Sequence, residues 1–351
     1  MGDDNSFEPE CPLPTFEKKT ILLAHGGGGR LMQELIRGVF LRSFDNTLLR
    51  QLHDGATFPV DKGILAFTTD SYVVSPLFFT GGDIGSLAVH GTVNDLAMCG
   101  AMPLYLSAGF ILEEGLALET LRKVVESMAK AAEGAGVQVV TGDTKVVDRG
   151  KGDGIFINTA GIGAVPPGAR IGPQEVKAGD RILLSGDLGS HGLAVMSVRE
   201  GLRFTGDIES DSAPLHRVVR DLLESGVPVH CLRDLTRGGL GSALNELAAG
   251  ANVGMTIEEP LIPVRASVRG ACELLGLDPL YVANEGRFVA FVPEAHVEAA
   301  LAAMRRHRVA QDAVQIGTVT RDSPPIVVLR TVLGTQRILD LLSGEQLPRI
   351  C

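Results

Sequence analysis

Aspartates recur in this sequence where the chain is expected to turn or an element to end. They stand in "TTD" (Asp70), "ND" (Asn94, Asp95), "GDTK" (Asp143, Thr144, Lys145) and "RDLTRGG" (Asp234). Each alone reads as a turn or cap residue. Brought to one place, carboxylates repel unless a hard cation compensates them, and Mg²⁺ shared with nucleotide phosphates is the usual compensation. Asp95 stands out because its neighbours in "HGTVNDLAMCGA" are largely apolar, where an unpaired carboxylate is costly. The run "HGGGGR", His25 to Arg30, offers the backbone N–H groups that curl around phosphate oxygens. It has no G-K-[ST] ending and no dinucleotide fingerprint, and alone it reads equally well as a surface turn. "ANEGR" holds Glu285, either a general base in an enclosed site or an ion-pair partner of Arg287. The chain stops on "QLPRIC", which puts the Cys351 thiol at the tip of a tail. A tethered thiol can visit a site elsewhere at little loop-closure cost.

The elements that must position these groups follow from periodicity. "ILLAH" reads as a strand entering the glycine run, and "RLMQELIRGVFL" as the helix leaving it. "ILAFTTDSYVV" reads as a strand ending near Asp70, followed by a helix from Ile84 to about Gly100 and a strand at "PLYLSAGFIL". "ALETLRKVVESMAKAAEGAG" is an amphipathic helix stopping at Gly134 or Gly136, and strands "VQVVTGD" and "GIFINTAGIGAV" close this half. The Pro- and Gly-rich "PPGARIGPQEVKAGD" marks a domain boundary. Strand "RILLSGD" opens the second half. Helices are expected near 192–200, 214–224, "GGLGSALNELAAG", "ASVRGACELLG" and "EAHVEAALAAMRRH", with strands at "VGMTIE", "RFVAFV", "AVQIGTV" and "PPIVVLR". Without strict βαβ alternation, the pattern predicts two α+β domains. The expected divisions are an acidic tail 1–19, an N-terminal domain 20–165, a C-terminal domain 166–330 and a flexible tail 331–351.

Composition narrows the function classes. The net charge of -10, 13 Phe, 3 Tyr and absence of Trp argue against a nucleic-acid platform or an anionic membrane surface. The five cysteines form no C-x-x-C pair, so neither a disulfide framework nor a zinc ribbon is expected, and a reducing cytoplasm is. "MGDDNS" matches a bare myristoylation pattern, but it lacks the polybasic partner that stable anchoring needs. Cys99 and Cys272 read as core hydrophobes, Cys231 beside "RD" is open, and His191 has no ligand spacing.

Taken in order, "HGGGG", "TTDSYVVSP", "GTVNDLAMCGA", "GDTKVV", "RDLTRGGL", "ALNE", "ANEGR" and "PRIC" resemble the superfamily of aminoimidazole ribonucleotide synthetase, selenophosphate synthetase and thiamin-monophosphate kinase. Within it they resemble the HypE family of carbamoyl dehydratases, from about residue 20 to the end. "GDTKV" and "PRIC" are the discriminating pieces. The resemblance implies ATP between His25, Gly26, Gly27 and Gly28 and the acidic motifs with Asp70, Asn94, Asp95 and Thr144. It implies Mg²⁺ held among Asp70, Asp95, Asp143 and Asp234, Lys145 at the reacting phosphate or substrate oxygen, and Glu285 as base near the substrate nitrogen. It also implies a homodimer paired through the N-terminal domains, a carbamoyltransferase HypF that loads Cys351, and a HypC–HypD complex that receives cyanide for the iron of [NiFe] hydrogenase. Its own carboxylate is expected to raise the Cys351 thiol, with Arg349 opposing. The rivals are selenophosphate synthetase, which usually carries a reactive Cys or selenocysteine in the Gly-rich region where "HGGGGR" has none, thiamin-monophosphate kinase, which leaves Cys351 unexplained, and a nucleotide-sensing scaffold whose tail docks a partner, against which the dense acidic motifs argue.

Overall fold

The computed structural model describes residues 27–351 apart from 45, 62, 203–207, 322–324, 343–346 and 348. Strand "ILLAH", the acidic tail, His25 and Gly26 lie outside the described residues. Past the glycines run the short helices α1 (Arg30–Leu35) and α2 (Leu41–Phe44), joined by a π turn. The N-terminal half continues with β1 (Ala56–Val60), β2 (Gly63–Tyr72), a two-stranded hairpin β3 (Phe78–Phe79) and β4 (Gly82–Asp83), and α3 (Ile84–Met98). Next come β5 (Met102–Glu113), α4 (Leu118–Ala135), β6 (Gln138–Val147) and β7 (Ile155–Val165). These strands form a five-stranded sheet in the order β1-β2-β7-β5-β6, antiparallel except for the β5–β6 pair.

Helix α3 starts at Asp83, whose carboxylate accepts from the N–H groups of Gly85 (2.8 Å) and Ser86 (3.2 Å) in a capping box. It is apolar nearly all round because it is covered nearly all round. One side packs on β2, β7 and α4, and the other meets elements of the second half. Helix α4 is amphipathic and ends at Gly136, whose φ of 72° is the left-handed stop expected there. The opposite face of the sheet is uncovered. Phe67, Ile162 and Tyr105 stand side by side across β2, β7 and β5, each at least 40% exposed.

The second half runs through β8 (Arg181–Leu184), α5 (Ser190–Arg199), α6 (His216–Glu224), β9 (Cys231–Asp234) and α7 (Gly239–Ala251). It continues with β10 (Gly254–Glu258), α8 (Ala266–Leu275), β11 (Phe288–Val292), α9 (Val297–Met304), β12 (Val314–Thr320), β13 (Val327–Arg330) and β14 (Gln336–Ile338). Its seven-stranded sheet has the order β14-β13-β10-β12-β8-β11-β9. "FVAFV" is buried at every position because both sheet faces are covered. Val289 and Phe291 join the α7 core, whereas Phe288, Ala290 and Val292 join the α6 and α9 core. Cys231, Cys99 and Cys272 are all core thiols. The segment expected as a tail is tied down at both ends. β14 extends the second sheet, and residues 349–351 return to the first half.

Strand β9, which periodicity did not mark, delivers Asp234 to the junction beside α3. After it, Gly238 and Gly239 take left-handed φ values of 78° and 58° to turn into α7. A Cβ at Gly239 would meet the carbonyls of Leu280 and Val282 at 2.7 Å. A Cβ at Gly286 would run into the Asp211 carbonyl. Gly286→Ala is therefore expected to destabilise the protein by about 1–3 kcal/mol through overpacking. Thermal unfolding checks this, and an unchanged transition temperature contradicts it.

Candidate active site

Between the halves lies a cavity of about 870 Å³, lined among others by Gly28, Asp54, Asp70, Asp95, Asp234 and Arg237. Asp70 arrives at the end of β2, Asp95 on α3 and Asp234 on β9, so three sequence motifs from both halves converge. Thr68 donates its hydroxyl to Asp95 Oδ2 at 2.8 Å. Burial, followed by the fields of Asp234, Asp70 and Asp54, holds the Asp95 carboxyl well above the usual range. Burial and Asp54 push Asp234 up to about 8, against Arg233 and Arg237. Asp54 rises to about 6 by burial, although Arg233 Nε reaches its Oδ1 at 3.0 Å. Asp95 and Asp234 thus hold protons that a cation would displace.

Asp70, Asp95 and Asp234 thus fit a divalent cation by donor type and by unrelieved charge. Among the described residues, no three His, Cys, Asp or Glu groups are already drawn together as a complete ligand set. Phosphate oxygens and water would supply the remaining ligands, as is usual for Mg²⁺.

The glycine run meets this cavity through Gly28, at φ 73°. A Cβ there would lie 2.6 Å from the Arg237 carbonyl. Gly29 closes on the tail in the same way, since Arg30 N–H donates to the Leu342 carbonyl at 3.1 Å.

Glu285 is 3% exposed, and its Oε1 has no hydrogen-bond partner. Burial first, then Asp234, Asp70 and Asp211, raise its carboxyl well above normal, with Arg237 opposing. The alternative ion pair with Arg287 is not made. Arg287 donates to Asp187 Oδ1 at 2.5 Å and lies 3.8 Å from Asp211 Oδ2. Burial pushes Asp187 up, but Arg287 and Arg265 outweigh it and leave that carboxyl below normal.

The geometry of a single chain bears on two further expectations. The Asn94 side chain is engaged by backbone groups. Its Nδ2 donates to the carbonyls of Ala213 (3.0 Å) and Glu285 (3.1 Å), and its Oδ1 accepts from Leu215 N–H at 2.8 Å. It positions Glu285. Of the four aspartates, Asp143 stands apart from the others within one chain. Asp143 stands in a cross-strand row with Gly109, Asn158 and Ser71, while Asp70 stands one residue along, in the row of Thr159. Adjacent residues of a strand point to opposite faces. Asp143 and its partner Lys145, 2.7 Å away, are therefore on the uncovered face, with Thr144 between them, and each is 69% exposed.

The tail ends within the field of Arg237, Asp70 and Asp234, which line the cavity. Val73 N–H donates to a main-chain oxygen of Cys351 at 3.1 Å, and Ser75 N–H to the Arg349 carbonyl at 3.2 Å. Ile350 is 2% exposed in the core around Tyr72, Phe79 and Ile157, and Cys351 packs against the same cluster. Burial pushes the Cys351 thiol up to about 12. Arg237 opposes, and Glu285, Asp70 and Asp234 reinforce the rise. The expected opponent, Arg349, is paired instead with Asp153.

Motif reading missed several residues of this site. Arg237 lay within a quoted motif without a role. His191, a fully buried polar residue in an apolar helix, carried the cost of burial as a signal. Asp54, Asp211 and Arg199 carried none.

The chain matches the family models of the AIR synthase related protein N-terminal domain over residues 52–165 and C-terminal domain over 177–330. It is 56% identical to carbamoyl dehydratase HypE of Azotobacter vinelandii over 332 residues, covering 95% of this chain and 97% of that protein. It is 48% identical to carbamoyl dehydratase HypE of Escherichia coli K12, over 94% of this chain and 99% of that one. The chain belongs to the HypE family of carbamoyl dehydratases. Its fold superposes on HypE in complex with ATP with a TM-score of 0.80 at 52% identity, covering 95% of this chain and 100% of that one. It superposes on the HypE chain of a HypE–HypF complex with a TM-score of 0.84 at 48% identity, over 88% and 99%. A thiamin-monophosphate kinase from Aquifex aeolicus, at 17% identity and a TM-score of 0.64, shares the fold. Among the described residues no helix is long and apolar enough to cross a membrane.

Asp234→Asn removes one crowded carboxyl. The cation-free protein is expected to unfold at the same or a higher temperature, while Mg·ATP affinity falls by at least about tenfold. Calorimetric titration checks this, and wild-type affinity contradicts it. The Cys351 thiol gives a second test. Its docked pKa is raised, so docking is favoured below the ordinary thiol pKa and weakens as pH rises from about 9 towards 12. Alkylation of docked Cys351 at pH 8 is expected to be slower than that of the same thiol in a short peptide, with the gap closing at higher pH. Equal rates at pH 8 contradict the docked, half-buried position.

Proposed function

We propose that this protein uses ATP to dehydrate a carbamoyl group carried on Cys351, leaving a thiocyanate. The observation that carries this reading is the docked tail, which sets the thiol in the field of Arg237, Glu285 and the acidic cavity. In the proposed sequence the carbamoyl oxygen attacks the γ-phosphorus of ATP and ADP leaves. The nitrogen then gives up its two protons as the C–O bond breaks. Inorganic phosphate departs with the carbamoyl oxygen, and S–C≡N remains. Mg²⁺ at Asp70, Asp95 and Asp234 would neutralise charge developing on the transferred phosphoryl group.

Glu285 supports the role of base. Its carboxyl is shielded from water, and its raised pKa makes it strongly basic once ionised. Its backbone is held by Asn94 and by Asp211, whose Oδ1 accepts from Glu285 N–H at 3.1 Å.

A docked thiol near pKa 12 is a poor nucleophile, so loading by a HypF-type carbamoyltransferase requires the tail to swing out. The product thiocarbamate is neutral and returns without the cost of burying a thiolate. A HypC–HypD type complex then takes the cyanide from the withdrawn tail. Lys145 and Asp143 face away from this cavity in their own chain. A homodimer through the Phe67–Ile162–Tyr105 row would cover that apolar face and place these two residues at an intersubunit position. The reading places the protein in the cytoplasm.

Glu285→Gln is expected to accept carbamoyl normally but dehydrate it at least about 100-fold more slowly. Cys351→Ala is expected to accept none, with ATP affinity unchanged. Intact mass spectrometry after incubation with the carbamoyltransferase, carbamoyl phosphate and ATP reads both. An adduct that never loses the mass of one water in the wild type overturns the reading.

A further inference from the structure

The last three residues are gripped through their backbone as much as through their side chains. Each of them has a main-chain oxygen that accepts a hydrogen bond. Cys351 is held by Val73 N–H, as described. The Ile350 carbonyl accepts from His191 Nε2 at 3.0 Å. The Arg349 carbonyl accepts from Ser75 N–H at 3.2 Å and from the Arg199 guanidinium at 2.6 Å. The Arg199 Nε also donates to the Ser75 carbonyl at 2.7 Å, so one side chain ties the tail to the strip it lies on.

His191 and Arg199 open and close the same helix, α5. Side chains of a helix lean towards its N-terminus, so the long Arg199 reaches back to the carbonyl next to the one His191 holds. The tautomer of His191 is fixed by its neighbours. A carbonyl can only accept, so Nε2 carries the proton, and Nδ1 takes the Ser210 hydroxyl at 2.8 Å. The ring is wedged edge-on against Phe79 at 5.4 Å.

Arg349 sits at φ 55°, a left-handed conformation that a non-glycine residue adopts only when other contacts compensate. Its own guanidinium donates to the Val73 carbonyl at 3.1 Å and pairs with Asp153. Docking is thus a balance between local strain and a set of polar grips, which suits a segment that must also leave.

We propose that His191 and Arg199 form a latch on the backbone of residues 349–350 that fixes where the Cys351-borne group sits. They are positioning residues for its reaction. The inference rests on the reading of Cys351 as carrier of the reacting group. The latch holds atoms any residue would offer, while Asp153 and the Ile350 pocket read the two side chains. The result is a site for a C-terminal Arg-Ile-Cys.

The test compares Arg199→Ala, Arg199→Lys and the surface change Asp153→Asn with wild type. Alkylation of Cys351 by iodoacetamide, read by peptide mass mapping, reports docking without any catalysis. Dehydration of the previously carbamoylated protein reports positioning, with ATP affinity as the control. Arg199→Ala is expected to speed alkylation and slow dehydration by about tenfold each, the scale of losing charge-assisted hydrogen bonds. ATP affinity should stay unchanged, Lys should recover part of both rates, and Asp153→Asn should shift both in the same direction. Unchanged alkylation overturns the latch, and so does slowed dehydration without faster alkylation. If carbamoylated wild type is never dehydrated, the carrier reading fails, and the alkylation result still judges the latch.

Discussion

Like charges crowded in a low-dielectric site cannot all ionise, and Asp54, Asp95 and Asp234 are brought together beside Asp70 by one loop and three elements from two halves of the chain. Burial, reinforced by repulsion among them, leaves protons on Asp95 and Asp234 that would otherwise be lost. A cation and the phosphates it brings relieve both penalties together. The fold is arranged to sustain this crowding. Helix α3 is buried on nearly all sides to carry Asp95, β9 is threaded to the junction to carry Asp234, and the glycines after it keep the Arg237 turn against Gly28.

The tail obeys the same electrostatics with the opposite outcome. Beside those carboxyls a thiolate is unfavourable, so docked Cys351 is kept protonated and unreactive. A neutral group on the same sulfur carries no such penalty. The docked site therefore penalises the thiolate while tolerating a neutral sulfur, and the left-handed backbone at Arg349 sets a local cost against docking.

Much of this was legible in the sequence, for identifiable reasons. The strands and helices with clear period were found, including the left-handed stop at Gly136, and the motifs with Asp70, Asp95, Asp234 and Glu285 do converge. Strand β9 was missed because four residues, two of them charged, carry no readable alternation. The face Asp143 occupies was not legible, for a sharper reason. The face a strand residue occupies depends on register, and β5 and β6 are paired through a register shift at Leu106–Ser107 that no residue announces. Asn94 was read by its neighbour Asp95, although a buried amide with backbone in reach satisfies itself locally. The tail's seat was invisible because Val73, Ser75, His191 and Arg199 become a surface only after both halves fold.

The central claim is that water leaves the carbamoyl group by way of phosphate. The direct measurement is to load Cys351 with carbamoyl bearing a heavy-oxygen label and follow the label through one turnover with ATP. The account predicts that it is recovered in inorganic phosphate. Label found in water instead, with the phosphate unlabelled, would contradict it.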